Sequence, residues 1–212
     1  MKIFKFYKTL NLFKTNDLKK AQKALNIWLK QGSQGSPPHI VKSMIIMEYQ
    51  KIYNANIFIE TGTFKGDMVD MLKYSFKKLI SIELGVDLFK NAKKRFINDN
   101  NVFIKQGDSG YVLPNILLDV NETAIFWLDG HYSAGITARG DKDCPIFMEL
   151  DAIFQNQIHN HIILIDDARY FNGTGDWPSI NKLTEYVKTK NEHYKVEIKH
   201  DIIRFVNKIH CV

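Results

Sequence analysis

Two short segments contain acidic and histidine residues whose types and spacing could bind a metal ion. Asp129 and His131 lie two residues apart in LDGH, and Asp166 and Asp167 are adjacent in LIDDAR. Carboxylates held close together raise one another's pKa, so a cation between them would remove the repulsion. Mg²⁺ and Mn²⁺ prefer oxygen ligands. We therefore predict a Mg²⁺ or Mn²⁺ site formed by Asp129, Asp166 and Asp167. The alternative for the adjacent pair is that it only caps the following segment.

Asp129 and His131 are also the candidate catalytic residues. A neutral imidazole accepts a proton at physiological pH, so His131 could act as a general base; binding the metal or orienting a neighbour are the alternatives. The glycine-containing segment 130–144 has no strong periodicity and is predicted to form a flexible lid over a bound acceptor. Three basic residues in or near this segment could contact an anionic acceptor, unless they are only surface charges or internal partners of Asp141 or Asp143: Arg139, Lys142 and Arg169.

A third candidate region is the glycine-containing segment ETGTFKG, which follows an apolar run. Gly62 and Gly66 let a backbone approach a ligand closely, and the following helix would present free N–H groups. The spacing is not GxGxxG, and Glu60 at the start of the segment would repel a pyrophosphate. A ligand with a positive amino or sulfonium group suits it better, and a turn without a ligand is the alternative.

Two further acids follow the next two apolar runs. Glu83 lies 21 residues beyond Gly62, where a carboxylate can accept hydrogen bonds from both hydroxyls of a ribose. Asp108 and Ser109 in QGDS are placed to hydrogen-bond an adenine edge. Each acid alone is more typical of a helix cap or a surface residue, but their order after consecutive strands is more specific.

The elements that must position these residues alternate between short apolar runs and amphipathic stretches. Strands are predicted at 57–60, 79–83, 101–105, 124–129, 161–166, 194–198 and 202–206, and helices at 16–30, 39–53, 66–76, 86–97, 110–118, 145–155 and 179–190. Continuous apolar strands alternating with helices indicate an α/β fold with a doubly wound, mostly parallel sheet. The tight turn at 199–201 makes the last two strands an antiparallel hairpin. Ligands bind such sheets beyond the carboxyl ends of the strands.

The series ETGTFKG, SIEL, QGDS and FWLDGH resembles the class I S-adenosylmethionine-dependent methyltransferases over roughly residues 55–206. The resemblance implies a seven-stranded Rossmann-like sheet with the last strand antiparallel. It also implies that S-adenosylmethionine is bound by residues matching the family's motifs, namely Glu60, Gly62, Thr63 and Gly66 for the methionine part, Glu83 for the ribose and Asp108 for adenine. LDGH departs from the (D/N)PP(Y/F) motif of enzymes that methylate amino groups of bases, which argues against that target.

The placement of acids after the fourth and fifth strands is similar to that of metal-dependent O-methyltransferases such as catechol and macrocin O-methyltransferases. The resemblance implies methyl transfer to an oxygen of a small-molecule acceptor, such as a sugar or a phosphorylated metabolite, with help from a divalent metal. Three alternatives stay open: a metal-dependent hydrolase or transferase acting on a nucleotide, an RNA methyltransferase, and a non-catalytic binding module.

The positive charge of the chain is concentrated at its N-terminus. Residues 1–30 contain eight lysines and one aspartate, whereas the other 182 residues contain 21 basic and 22 acidic side chains, for a net charge of +6 overall. We expect residues 1–38 to form a basic helical appendage and linker, and residues 39–212 to form the main domain. The nearly neutral main domain makes nucleic acid an unlikely partner, and the N-terminal helices could pair two subunits in a homodimer.

Composition excludes several other classes of protein. With 45% hydrophobic and 25% charged residues, 12 glycines and 5 prolines, the chain is typical of globular proteins and not of collagen-like or disordered ones. Its two cysteines cannot form a disulfide scaffold and have no CxxC spacing. It has no apolar run long enough to cross a bilayer and no signal-peptide core at its start. These features predict a cytoplasmic protein.

Overall fold

The computed structural model of the protein describes residues 15–33, 35–131 and 142–207. Three features of interest therefore lie outside the described residues. They are the first 14 residues of the basic segment, most of the predicted lid with Arg139, and Cys211.

One sheet of seven strands organises the structure. Its strands are β1 (Ile57–Thr61), β2 (Lys78–Glu83), β3 (Val102–Gln106), β4 (Ala124–Leu128), β5 (Ile162–Ile165), β6 (Tyr194–Lys199) and β7 (Ile202–Asn207). Their order in the sheet is β3-β2-β1-β4-β5-β7-β6. The first five strands are parallel, while β7 runs antiparallel to both β5 and β6. The predicted doubly wound sheet and its C-terminal hairpin are confirmed, and the strand order reverses between β1 and β4.

Seven helices are described. They are α1 (Thr15–Lys30), α2 (His39–Tyr53), α3 (Asp67–Leu72), α4 (Val86–Arg95), α5 (Ser109–Leu117), α6 (Ile146–Gln155) and α7 (Ile180–Lys190), with a 3₁₀ turn at Ala168–Tyr170. Six of the helices begin and end within two residues of the predicted ranges, but the helix predicted for 66–76 ends at Leu72, where the chain enters a turn at 73–75. No helix among these residues is long and apolar enough to span a membrane.

The central strands are buried on both faces, which explains their continuous apolar sequences. Ile57 and Ile59 of β1 pack into the core on one face of the sheet, and Phe58 packs into the core on the other. Every residue of β1, β4 and β5 is buried. Successive side chains of a strand point to opposite faces, so a strand covered on both sides must be apolar throughout.

Helix α2 differs from the amphipathic helix predicted for 39–53. Residues 40–47 are all buried, because the helix packs against α3 and β4 and also against α1. Trp28 of α1 is 5% exposed and belongs to the same core as α2, and its ring meets that of His200 edge-on at 5.4 Å. One consequence is that Lys42, a charged residue of α2, is enclosed by the fold.

Candidate functional site

A cavity of about 540 Å³ opens at the carboxyl ends of the parallel strands. It is lined by nearly all the predicted site residues, namely Glu60, Gly62, Thr63, Glu83, Asp108, Ser109, Asp129, His131, Asp166 and Asp167. Parallel strands end at the same edge of a sheet, so the loops that follow them converge there. The residues predicted to bind a nucleoside and those predicted to bind a metal therefore share one cavity.

Gly66 is the one predicted residue that does not line this cavity. It precedes helix α3 with a φ of +79°, and a Cβ added there would lie 2.6 Å from Cε2 of Phe96. Only glycine combines this backbone conformation with so close a contact. Gly66 therefore allows the turn after β1 to pack against Phe96, whatever ligand the turn contacts.

Glu60 is a buried carboxyl group at the end of β1. Ser81 of the neighbouring strand β2 donates a hydrogen bond to its Oε2 at 2.6 Å, and the hydroxyls of Ser81 and Thr63 are 2.6 Å apart. Burial raises the pKa of Glu60 to about 8, since the Ser81 hydrogen bond only partly opposes the desolvation. Glu60 is thus largely protonated at pH 7 until a cation approaches it.

Gly62 brings the loops after β1 and β4 into direct contact. Its φ is +87°, and an added Cβ would lie 2.4 Å from the carbonyl oxygen of Asp129. Thr61 supports the same junction, because its Oγ1 accepts hydrogen bonds from the backbone N–H groups of Asp129 and Gly130 at 3.2 and 3.1 Å. The close contact fixes the loop that carries Asp129.

We expect Gly62→Ala to separate these two loops. Gly175 also has a positive φ, +57°, but nothing lies within 4 Å of the Cβ position there, so Gly175→Ala is a matched control for backbone strain alone. Gly62→Ala should lower the free energy of unfolding by about 2 kcal/mol more than the control, because overlap with backbone adds to the strain. Urea denaturation measures both, and equal losses would contradict the close approach.

Glu83 is held in place by the backbone at the end of β2. Its Oε2 accepts a hydrogen bond from the N–H of Phe64 at 2.7 Å, and its Oε1 accepts one from Gly85 at 2.8 Å. Each carboxylate oxygen can accept a second hydrogen bond. The side chain is therefore oriented, faces the cavity and keeps acceptor capacity for two hydroxyl groups.

The loop after β3 is organised by a carboxyl group that sequence reasoning missed. Asp108 caps helix α5 by accepting a hydrogen bond from Gly110 N at 2.9 Å, and the hydroxyl of Ser109 donates to Oε1 of Glu149 at 2.6 Å. Glu149 of α6 is fully buried, and burial raises its pKa to about 7. Its signal was one of two acids, Glu149 and Asp151, within the otherwise apolar stretch IFMELDAIF. Glu149 therefore ties the hydroxyl of Ser109 to α6.

Asp129, His131 and Asp167 form the compact part of the acidic cluster. One donor atom from each lies within 4.8 Å of the others. Asp167 has a left-handed φ of +57° and precedes the 3₁₀ turn, but its side chain makes no capping hydrogen bond there. Strained conformations of this kind concentrate at functional sites. The side chain of Asp167 does not cap the following segment, and its role as a metal ligand stays a prediction.

The imidazole of His131 is packed between aromatic rings and lies beside the carboxylate of Asp129. Its ring meets those of Phe171 and Trp177 edge-on, with centroids 5.9 and 4.7 Å apart. Neither nitrogen has a hydrogen-bond partner among the described residues, and Nε2 lies 3.9 Å from Oδ1 of Asp129. Burial lowers the pKa of His131 to about 4, so the ring is neutral. A buried neutral imidazole beside two carboxylates fits a metal ligand.

Two cations of the protein already contact the acids after β5. Nζ of Lys42 makes a buried ion pair with Oδ2 of Asp166, and Arg169 pairs with Asp167 at 2.8 Å and also with Asp201. Burial alone would lower the pKa of Lys42. The negative charges of Asp166 and Asp129 raise it by more than burial lowers it, so the net shift is upward and Lys42 is charged. Sequence reasoning missed Lys42, whose only signal was a charge inside the apolar run HIVKSMIIM.

The predicted metal ligands are thus divided between two environments. Asp129 and Asp167 come together with His131, whereas Asp166 faces Lys42 and is not part of the compact group. Burial, together with the nearby carboxylate of Asp166, raises the pKa of Asp129 well above its usual range, as expected of acids that lack sufficient positive charge. The donor set of two carboxylates and one imidazole fits a divalent cation such as Mn²⁺.

The strand order, the C-terminal hairpin and the cavity at the strand ends define the fold of class I S-adenosylmethionine-dependent methyltransferases. The sequence matches no protein-family model and no curated protein, but solved structures share this fold. An O-methyltransferase from Bacillus cereus in complex with S-adenosylhomocysteine (SAH) is 11% identical, with 96% of each chain covered and a TM-score of 0.58.

Two other solved structures, one of an O-methyltransferase and one of a methyltransferase, have a similar fold. TomG, an O-methyltransferase from Streptomyces achromogenes involved in tomaymycin synthesis and solved with S-adenosylmethionine, is 15% identical, with 95% of this chain and 94% of TomG covered and a TM-score of 0.53. SAH-bound PaMTH1 from Podospora anserina is 10% identical, with 92% of this chain and 89% of PaMTH1 covered and a TM-score of 0.55. The fold implied by the sequence resemblance is confirmed.

Proposed function

We propose that this protein transfers a methyl group from S-adenosylmethionine to an oxygen of a small-molecule acceptor, with help from a divalent metal. The observation that carries the proposal is the shared cavity, in which the nucleoside-binding candidates and the compact Asp129, His131 and Asp167 group line one continuous space. Methyl transfer requires the donor sulfonium and the acceptor oxygen to meet in such a space.

In this proposal the loops after β1, β2 and β3 bind S-adenosylmethionine, which supplies an electrophilic methyl group on a sulfonium. Glu60 stabilises the positively charged methionine end, and Gly62 and Thr63 let the backbone approach it. Glu83 accepts hydrogen bonds from the ribose hydroxyls, and the Asp108–Ser109 turn lies at the adenine. This assignment places the methionine end of the ligand nearest to Asp129, because Gly62 contacts the backbone of Asp129.

In the same proposal Asp129, His131 and Asp167 would hold Mg²⁺ or Mn²⁺, which would lower the pKa of an acceptor hydroxyl. The hydroxyl loses its proton to solvent or to a nearby base, the oxygen forms a bond to the methyl carbon, and the carbon–sulfur bond breaks. The products are a methyl ether and SAH, which leaves as a neutral thioether. His131 lines the cavity and is neutral, so the general-base role predicted for it stays the alternative if it does not bind the metal.

The acceptor is proposed to be anionic. Seven acids line the cavity, and Arg169 already pairs with Asp167 and Asp201. The proposal therefore rests on Lys65 and Lys142, whose side chains line the cavity and could contact a negative group of the acceptor. The apolar side chains of Ile27 and Leu29 on α1 are about half exposed, which is compatible with the proposed pairing of N-terminal helices in a homodimer.

We keep the cytoplasm as the proposed location, since Cys144 is a buried free thiol and a reducing compartment preserves such thiols.

Calorimetry with SAH in the presence and absence of Mn²⁺ tests the function. We expect SAH to bind, and labelled S-adenosylmethionine to methylate a member of a panel of catechols and phosphorylated sugars. A metal-dependent hydrolase would not bind SAH but would cleave nucleotides in the same buffer. Failure of SAH to bind at millimolar concentration would contradict the methyltransferase proposal.

Glu60 gives the binding of SAH a predicted pH dependence. Its pKa of about 8 means that the carboxyl group must lose a proton to stabilise the positive amino group of SAH. The affinity should therefore rise between pH 6 and pH 8, by up to about tenfold per pH unit, and level off above the pKa. Calorimetric titrations at several pH values measure this slope.

Glu60→Gln should remove the slope, because an amide does not titrate in this range. Glu149→Gln is the matched control. Glu149 is also a buried acid with a raised pKa, but the proposal gives it no contact with the methionine end of the ligand. The control should keep the slope of the wild type. A flat wild-type profile, or an equal slope in Glu60→Gln, would contradict the role of Glu60.

A further inference from the structure

Lys42 is a buried cation in an otherwise apolar part of helix α2. It is 6% exposed, which is about as buried as its apolar neighbour Val41. Removing an ammonium group from water costs several kcal/mol unless a partner compensates. Its Nζ pairs with Asp166 and lies 5.9 Å from the centroid of the Trp127 ring. The side chain thus reaches from α2 to the ends of β4 and β5, where the acidic cluster lies.

The ion pair with Lys42 uses one carboxylate oxygen of Asp166, an acid that lies next to the compact group of Asp129, His131 and Asp167. Asp166 is adjacent in sequence to Asp167, yet the compact donor group within the described residues contains Asp167 and omits Asp166. The second oxygen of Asp166, Oδ1, is buried and has no hydrogen-bond partner among those residues. A carboxylate with a free buried oxygen beside a metal-binding group would normally be drawn to the metal.

We propose that Lys42 is a positioning residue that keeps Asp166 out of the metal's ligand set and thereby weakens the binding of a divalent cation. The inference rests on the metal-assisted function proposed above. For Asp166 to bind the metal it would have to share its charge with the ammonium, and the ammonium itself repels a divalent cation. The same ion pair neutralises one of the acids when no metal is bound.

Mn²⁺ titrations of the full-length protein, followed by electron paramagnetic resonance of the free ion, test this inference without an acceptor. We compare the wild type with Lys42→Met and with the double variant Lys42→Met/Asp166→Asn. Lys42→Met should bind Mn²⁺ at least about tenfold more tightly, because a nearby positive charge is lost and Asp166 is released. The double variant should bind within about threefold of the wild type, because the net charge and the ligand set are both restored.

Three outcomes would overturn the inference. Unchanged or weaker Mn²⁺ binding by Lys42→Met would show that Lys42 does not limit the affinity, and it would leave the metal-assisted function standing. Binding by the double variant more than tenfold weaker than that of the wild type would show that Asp166 is already a ligand. If none of the three proteins binds Mn²⁺, both this inference and the metal-assisted step fail, while SAH binding still reports on the methyltransferase proposal.

The variants need controls for charge and for folding. Lys51→Met removes a lysine from the same helix at an exposed position, about 13 Å further along the axis at 1.5 Å per residue, and should leave Mn²⁺ affinity unchanged. Lys42→Met leaves the charge of Asp166 buried without its partner and could destabilise the fold. The double variant removes both charges and so leaves no buried charge unpaired. If Lys42→Met does not fold, the thermal unfolding and the Mn²⁺ affinity of the double variant still show whether Asp166 is a ligand in the wild type.

Discussion

Asp129→Asn is expected to lower methyl transfer by at least about 100-fold and to weaken Mn²⁺ binding by at least about tenfold, while SAH affinity stays within about threefold of the wild type. The carboxylate of Asp129 belongs to the compact donor group with His131 and Asp167. Its backbone, by contrast, makes the contacts with Gly62 and Thr61 that shape the loop after β1. An amide keeps the backbone and the size of the side chain but loses the negative charge.

Asp87→Asn is the control for this variant, because Asp87 is an almost fully exposed acid in the first turn of α4. Its activity and its Mn²⁺ affinity should match those of the wild type. The separation of roles is the decisive result. If Asp129→Asn lost SAH binding as severely as methyl transfer, Asp129 would belong to the nucleoside site, and the proposed metal site would be wrong.

Glu83→Gln is expected to weaken SAH binding by about 100-fold and to leave Mn²⁺ affinity unchanged. Two hydrogen bonds from ribose hydroxyls to an ionised carboxylate contribute about 1.5 kcal/mol or more each, which corresponds to about 100-fold in affinity. The amide also turns one donor toward the N–H of Phe64 or Gly85, both of which donate to Glu83 in the wild type. The loop after β1 would then lose part of its support.

Glu197→Gln on the edge strand β6 controls for the loss of one negative charge, because the side chain of Glu197 is 56% exposed and lies outside the cavity lining. Calorimetry with SAH and thermal unfolding of both variants separate a lost ligand contact from a destabilised loop. Wild-type SAH affinity in Glu83→Gln would rule out the ribose-binding role. A parallel loss in Glu197→Gln would show that the effect is only electrostatic.

Local sequence determined the fold of this protein to a large extent. The run IFIE predicts a strand because a strand covered on both faces must be apolar at every position, and Phe58 and Ile59 are indeed buried on opposite faces. The turn at 199–201 is too short for anything but an antiparallel connection, and β6 and β7 pair as predicted. Strand ends were predicted within a residue or two, so the acids after them were correctly placed at one edge of the sheet.

Which of those acids act together was decided only by tertiary structure. Asp166 and Asp167 are indistinguishable in sequence, but successive residues point in different directions, so Asp166 meets Lys42 while Asp167 meets Asp129 and His131. Lys42 comes from a helix 124 residues away along the chain. Its contact depends on how α2 lies on the sheet, which no local pattern encodes. Glu149 is similar, because its partner Ser109 is 40 residues away. Periodicity reports which face of an element is buried, whereas the pairing of buried charges depends on the packing of elements distant in sequence.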